Sequence, residues 1–180
     1  MSTDPTDPRA QTHEDAGFLA QTFATQQAPL LRYATRLLNG DADRARDVVQ
    51  DTFVKLMGQP RAAINGHATE WLFTVCRHAA FDVLRKESRM KRFGEGEMER
   101  VGTMDPRPGR ALEREETHEA LLHLIERLPP NQQEVVRLKF QNDFSYKEIA
   151  RITELSVTNV GFLLHTAVAR LRTEFAASRQ

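Results

Sequence analysis

Between residues 68 and 92 the chain interleaves aromatic and cationic side chains in a pattern suited to unpaired nucleic acid. At about 100° per residue along a helix, Trp71, Thr74, Arg77, His78, Phe81, Arg85, Ser88, Arg89 and Arg92 project broadly to one side. Leu72, Val75, Cys76, Ala79 and Val83 project to the other. Residues 77–92 carry six Lys or Arg against two acids, a local charge of +4. Bases stack on exposed rings while neighbouring cations track phosphates; taken alone, the pattern better describes packing residues beside a solvated basic face, and a helix-turn-helix in the same chain reverses that. Catalytic chemistry finds no such constellation. Gly94-x-Gly96 lacks a third glycine and follows no strand, and no phosphate-binding loop is present. His118 and His123 stand five apart, off a shared helical face, and His67, Cys76 and His78 lack zinc-like spacing. The expectation is a protein that is not an enzyme, with no catalytic residue, metal or cofactor.

The last quarter of the chain carries a second nucleic-acid pattern. Ser145 and Glu148 form a Ser-x-x-Glu capping box at the head of a short helix with Ile149, Ala150 and Ile152 on its apolar side. After Thr153-Glu154-Leu155, Ser156 is a second N-cap, and Val157, Val160, Leu164, Ala167, Val168 and Leu171 recur as one buried stripe. Two helices across a three-residue turn, the second longer and polar outside, make a helix-turn-helix of the kind that docks in a DNA major groove.

Both patterns need elements to hold them. Phe18–Leu38 has a helical apolar stripe, with Pro29 as a candidate kink and Asn39-Gly40 as its end. Asp41 or Asp43 caps a helix to about Met57 whose apolar side is Ala42, Ala45, Val49, Phe53 and Leu56. Residues 58–66 read as a loop and 68–92 as a long helix. Glycines and prolines then break the periodicity over 93–111, which reads as a linker. Helices follow at about 112–127 and 131–141, ahead of the helix-turn-helix. The fold class is all-α, two small helical domains on a flexible tether: a disordered tail over 1–16, a first domain over 17–92, and a second over 112–176. Charged residues balance at 25 of each sign, so any affinity for DNA must come from local patches and not from bulk charge. One cysteine suits a reducing compartment, and no membrane span or signal peptide is apparent. A cytoplasmic, nucleoid-associated protein with no membrane partner is expected.

Three segments, in this order, resemble a bacterial alternative sigma factor of the sigma-70 family, extracytoplasmic-function group. Asp47-Val-Val-Gln-Asp-Thr-Phe53 is similar to the helix that binds the clamp of core RNA polymerase. Trp71-Leu-Phe-Thr-Val-Cys-Arg77 with Asp82-Val-Leu-Arg85 is similar to the helix that melts and reads the −10 element. Leu128-Pro129-Pro130, Val135-Val-Arg-Leu138, Tyr146-Lys-Glu-Ile-Ala150 and Val160–Arg172 are similar to the −35-reading domain. The resemblance implies core-polymerase contacts from Asp47, Gln50, Asp51 and Phe53. It implies −10 contacts from Trp71, Arg77, His78, Arg85 and Arg89. It implies −35 contacts from Ser156, Thr158, Asn159, Phe162, His165 and Arg170. The implied partners are core RNA polymerase, promoter DNA, and either a Ser/Thr kinase or an anti-sigma regulator. The rival reading is a one-component helix-turn-helix regulator, whose sensor domain would have no reason to expose aromatics among arginines.

The departures from the family pattern add expectations. Arg44 and Arg46 stand where further acids usually precede Asp47, which weakens attraction to a basic clamp. A phosphate on Thr52, adding about −1.5 to −2 charges, would restore negative potential, making Thr52 a candidate phosphosite. His78 stands where the family usually has Asn, so base preference at −10 is not inherited. The recognition helix has Gly161, Phe162 and Leu163 where relatives show Lys and Arg. Phe162 lies opposite the buried stripe, facing either thymine methyls or a protein surface. Fewer cations imply weaker and less salt-sensitive −35 binding.

Overall fold

A computed structural model of the chain describes the backbone of residues 8–93 and 112–177, with side chains over 15–90 and 119–177. The described residues form eight helices and no strand, and the chain divides into two compact units, Met1–Met104 and Asp105–Gln180. The proposed linker lies almost wholly outside the described residues. Among those that are described, no helix is long and apolar enough to cross a membrane.

In the first unit α1 (Pro8–Leu37), α2 (Ala42–Met57) and α4 (Ala68–Phe93) pack against one another. The helix α1 starts at Pro8, not near residue 17, so the second half of the expected disordered tail is helical. Proline fits there because a first-turn N–H has no intrahelical partner. The helix runs through Pro29 to a left-handed ending in which Asn39 and Gly40 have φ of 56° and 92°. Their N–H groups donate to Arg36 and Thr35 carbonyls, which satisfies carbonyls the helix leaves open. Asp41 then caps α2 by accepting from Arg44 N–H. The stretch read as a loop contains a one-turn helix, α3 (Arg61–Ile64). Ile64 is buried, while Arg61 stacks over Phe18 at 5.1 Å and pairs with Asp15 at 3.4 Å, which ties α3 to α1.

The core of this unit is wider than the stripes predicted. Val48 and Thr52 of α2 are buried beside Ala45, Val49, Phe53 and Leu56, and Phe73 and Ala80 of α4 join Leu72 and Cys76. Phe73 meets Tyr33 with ring centroids 5.1 Å apart.

The second unit holds α5 (Leu112–Glu126), α6 (Pro130–Gln141), α7 (Tyr146–Thr153) and α8 (Val157–Ala177). Pro129-Pro130 separates α5 from α6, and Gln133 donates to the Glu126 and Leu128 carbonyls left open by that break. The capping box is present in both directions: Glu148 N–H donates to Ser145 Oγ and Ser145 N–H to Glu148 Oε2. Those bonds, the Ser145 side chain first, hold the Glu148 carboxyl below the usual carboxylate range. Glu154 ends α7 in the left-handed region at φ 59°. The predicted stripe of α8 holds at Val160, Leu164, Ala167 and Leu171. Val157 does not stay buried with it: as the first residue of α8 it is 45% exposed.

Candidate nucleic-acid interface and docking face

The outer face of α2 begins at Asp47 and continues through Gln50 and Asp51, all exposed. At 3.6 residues per turn the same face ends in Val54 and Met57, which are 55% and 62% exposed. The structure therefore presents an acidic patch that grades into an apolar one. The apolar half was legible as a Val and a Met on the periodicity of Asp47, and sequence reasoning missed it. Phe53 does not share this face. Its side chain is buried, with its ring 4.8 Å from that of Phe23, so it positions α2 from behind. Arg44 is not a bare cation facing outward either: it pairs with Asp41 at 3.3 Å and with Glu87 of α4, while Arg46 pairs with Asp43.

Thr52 is corrected more sharply. It is 0% exposed, and its hydroxyl donates to the Val48 carbonyl at 2.7 Å. It also bonds the Cys76 thiol, whose pKa burial pushes up to about 12, the Thr52 contact working the other way. A phosphorylated Thr52 would place up to two charges in the packed seam between α2 and α4, where burying charge is costly. The expected phosphosite is a core residue.

The outer face of α4 lies opposite that seam. His78, Phe81, Arg85 and Arg89 are exposed and Trp71 and Arg77 half-buried. The Arg77 guanidinium sits 4.6 Å from the centre of the Phe81 ring, a cation–π contact worth about 0.5–1 kcal/mol at an exposed site. Arg85 pairs with Asp82. Cations and ring faces thus occur side by side, as stacking and phosphate tracking require. The side chain of Arg92 lies outside the described residues.

In the second unit Ser156 Oγ accepts from Asn159 N–H at 3.1 Å and caps α8. Thr158, Phe162 and His165 are exposed on one side of α8, with Phe162 at 66%. Arg170 turns away from them by helical position, and its Nε donates to Glu174 at 2.8 Å. That bond, more than any other influence, holds the Glu174 carboxyl below its usual range. Arg172 shares the angular sector of Thr158 and His165 more closely. Two exposed cations on α7, Lys147 and Arg151, were not anticipated. Toward the C-terminal half of α8, Leu121, Ile125, Val136, Phe140, Val168, Leu171, Arg172 and Phe175 line an apolar groove of ≈ 370 Å³, so Arg172 stands at the border between this groove and the Thr158 side. Val168, expected in the core, is a wall of that groove.

Comparison with known proteins adds independent findings. The family described as sigma-70 region 2 matches residues 23–90, and sigma-70, region 4 matches residues 118–171. The RNA polymerase sigma factor YlaC of Bacillus subtilis (strain 168) is 30% identical over 142 residues, covering 77% of this chain and 81% of that protein. The ECF RNA polymerase sigma factor EcfG of Rhodopseudomonas palustris (strain TIE-1) is 31% identical over 146 residues, covering 79% and 77%. Among solved structures, the sigma factor RpoE in complex with the anti-sigma factor NepR from Bartonella quintana is similar in fold. Its TM-score is 0.67 at 23% identity, covering 89% of this chain and 98% of that one.

Proposed function

The chain belongs to the extracytoplasmic-function group of sigma-70 family RNA polymerase sigma factors, and from that premise we propose how its surfaces divide the work of transcription initiation. The outer face of α2 docks on core RNA polymerase, with Asp47, Gln50 and Asp51 as polar contacts and Val54 and Met57 as their apolar continuation. Charge steers the approach and apolar burial retains the complex. The outer face of α4 takes the −10 region, with Arg77, Arg85 and Arg89 on the backbone and Trp71, His78 and Phe81 beside unstacked bases. The helix α8 takes the −35 duplex. Phosphate contacts position and base-edge contacts specify, so Ser156, Asn159 and the α7 cations orient α8 while Thr158, Phe162 and His165 face base edges. Arg170, bonded to Glu174, acts at the edge of this contact.

The observation that carries the reading is the opposition on the first unit: an aromatic and cationic face on α4 beside an acidic and apolar face on α2. A sensor domain of a one-component regulator has no use for both. Regulation is assigned to a protein partner, as the fold shared with the RpoE in the NepR complex suggests, and not to phosphate on Thr52. The test is reconstitution with core RNA polymerase. The expected result is a stable complex that opens a selected promoter. A chain that binds promoter duplex specifically without core polymerase, and leaves core polymerase unbound, would return the reading to a one-component regulator.

A further inference from the structure

We propose that Phe162 is a specificity-determining residue that reads the C5-methyl group of a thymine in the −35 duplex, with anchoring cations moved from the recognition helix to α7. The inference rests on the reading of α8 as the −35 helix. Thr158, Phe162, His165, Ala169 and Arg172 fall within about 80° of one another on α8 at 100° per residue, and all five are exposed. Phe162, at one edge of that sector, is its largest apolar group, with Ala169 beside it. Nothing within the described unit covers it: the residue is 66% exposed.

Two observations favour DNA over a protein as the occupant. First, the helix-turn-helix carries exposed cations on both of its helices. Lys147 and Arg151 are exposed one turn apart on α7, the helix that crosses the backbone in this motif, and Arg172 closes the far end. Over residues 145–172 four cations (Lys147, Arg151, Arg170, Arg172) face two acids (Glu148, Glu154), a balance of +2. Glu148 is already committed to the Ser145 cap. Second, the residue before Phe162 leaves the helix surface low. Gly161 presents no side chain, and a Cβ there would stand 3.7 Å from the Tyr146 ring, so the exposed Tyr146 lies against α8 at Gly161, about 100° around the helix from Phe162. An exposed ring on the outer side of α8, in a motif whose preceding helix carries exposed cations, matches the thymine methyl, the apolar group that the major groove offers among its polar edges.

The experiment uses holoenzyme formed from the full chain and core RNA polymerase. A randomised upstream duplex is selected for binding, and each thymine in the selected −35 element is then replaced by deoxyuridine, which keeps pairing and removes only the methyl. At one position the replacement should weaken wild-type holoenzyme about fourfold, the value of one methyl-sized group withheld from water. Phe162→Ala holoenzyme should bind thymine and deoxyuridine duplexes alike, and Phe162→Leu should recover part of the difference. Because the side chain is exposed, neither change disturbs the core. A selected element without thymine, no sensitivity to deoxyuridine, or equal sensitivity in Phe162→Ala would overturn the inference. So would a Phe162→Ala chain that is more active on every promoter, since the ring would then be covering an inhibited state. If wild-type holoenzyme selects no sequence at all, it is the functional reading that fails.

Discussion

At the scale of single residues the decisive side chains are Thr52 and Cys76. Thr52 lies within about 40° of both Ala45 and Leu56 on the α2 wheel, so position alone placed it in the core. Its hydroxyl pointed the sequence reading outward, toward modification. The structure resolves the conflict by giving that hydroxyl a carbonyl four residues back, the usual way a helix accommodates a buried threonine. Thr52→Val should therefore cost no more than about 1–1.5 kcal/mol, the worth of one hydrogen bond. Thr52→Glu should cost several-fold more, on the order of 3 kcal/mol or above, because a carboxylate cannot be buried unpaired. Chemical denaturation of the two variants checks this. Wild-type transcription by Thr52→Val would separate the residue from any kinase switch, whereas failure of Thr52→Val with stability intact would restore one. The thiol gives a linked prediction. The folded-state pKa of Cys76 is raised from 9.0 to about 12, so the folded protein holds its proton where the unfolded chain loses it. This stabilisation is complete below pH 9 and fades as pH climbs from 9 toward 12. Denaturant midpoints should fall across that interval in wild type and fall less in Cys76→Ala. At neutral pH the thiol should react with an alkylating agent far more slowly than in urea.

At the scale of helices, periodicity was the most legible signal, and its failures have identifiable causes. Caps at Asp41, Ser145 and Ser156 were readable because their chemistry is local. The start of α1 was not, since its first turns have little apolar pattern and Arg61 ties Asp15 and Phe18 down from another element. A one-turn helix such as α3 is too short to show a period. Phe53 shows the reverse error, in which a residue inside a recognisable motif was given to the interface although its own stripe buries it. The outer face of α2 is where this distinction can be measured. Asp51→Arg reverses charge at an exposed position and should abolish core-polymerase binding while circular dichroism stays unchanged. Val54→Lys should weaken binding by about tenfold, as expected for about 1–2 kcal/mol of lost apolar burial, again without unfolding. Phe53→Ala should instead lower stability by about 3–5 kcal/mol. Unchanged affinity in both Asp51→Arg and Val54→Lys, measured by fluorescence anisotropy, would remove α2 from the interface.

At the scale of the whole molecule, a chain whose formal charge sums to zero has to concentrate its nucleic-acid affinity on separate faces, and those faces belong to different units. The consequence is separability. On the proposed division of labour, Arg77, Arg85 and Arg89 of the α4 face hold an opened strand, and Lys147, Arg151 and Arg172 hold a duplex whose strands stay paired. Arg77→Ala with Arg85→Ala and Arg89→Ala should leave upstream protection of the −35 region intact. It should also abolish permanganate reactivity of unpaired thymines near −10. Lys147→Ala with Arg151→Ala should do the opposite at first encounter, weakening closed-complex formation on every promoter alike and lowering the salt slope by about one unit per lost phosphate contact. Strand opening should persist once the complex has formed. Arg77 carries an extra constraint because its guanidinium also covers the Phe81 ring. Arg77→Lys should preserve charge but lose part of the planar contact, so a fall in opening without a change in salt slope is expected. If all of these variants lose closed complex and strand opening in parallel, the two faces form one continuous binding surface and the division of labour between α4 and α8 is wrong.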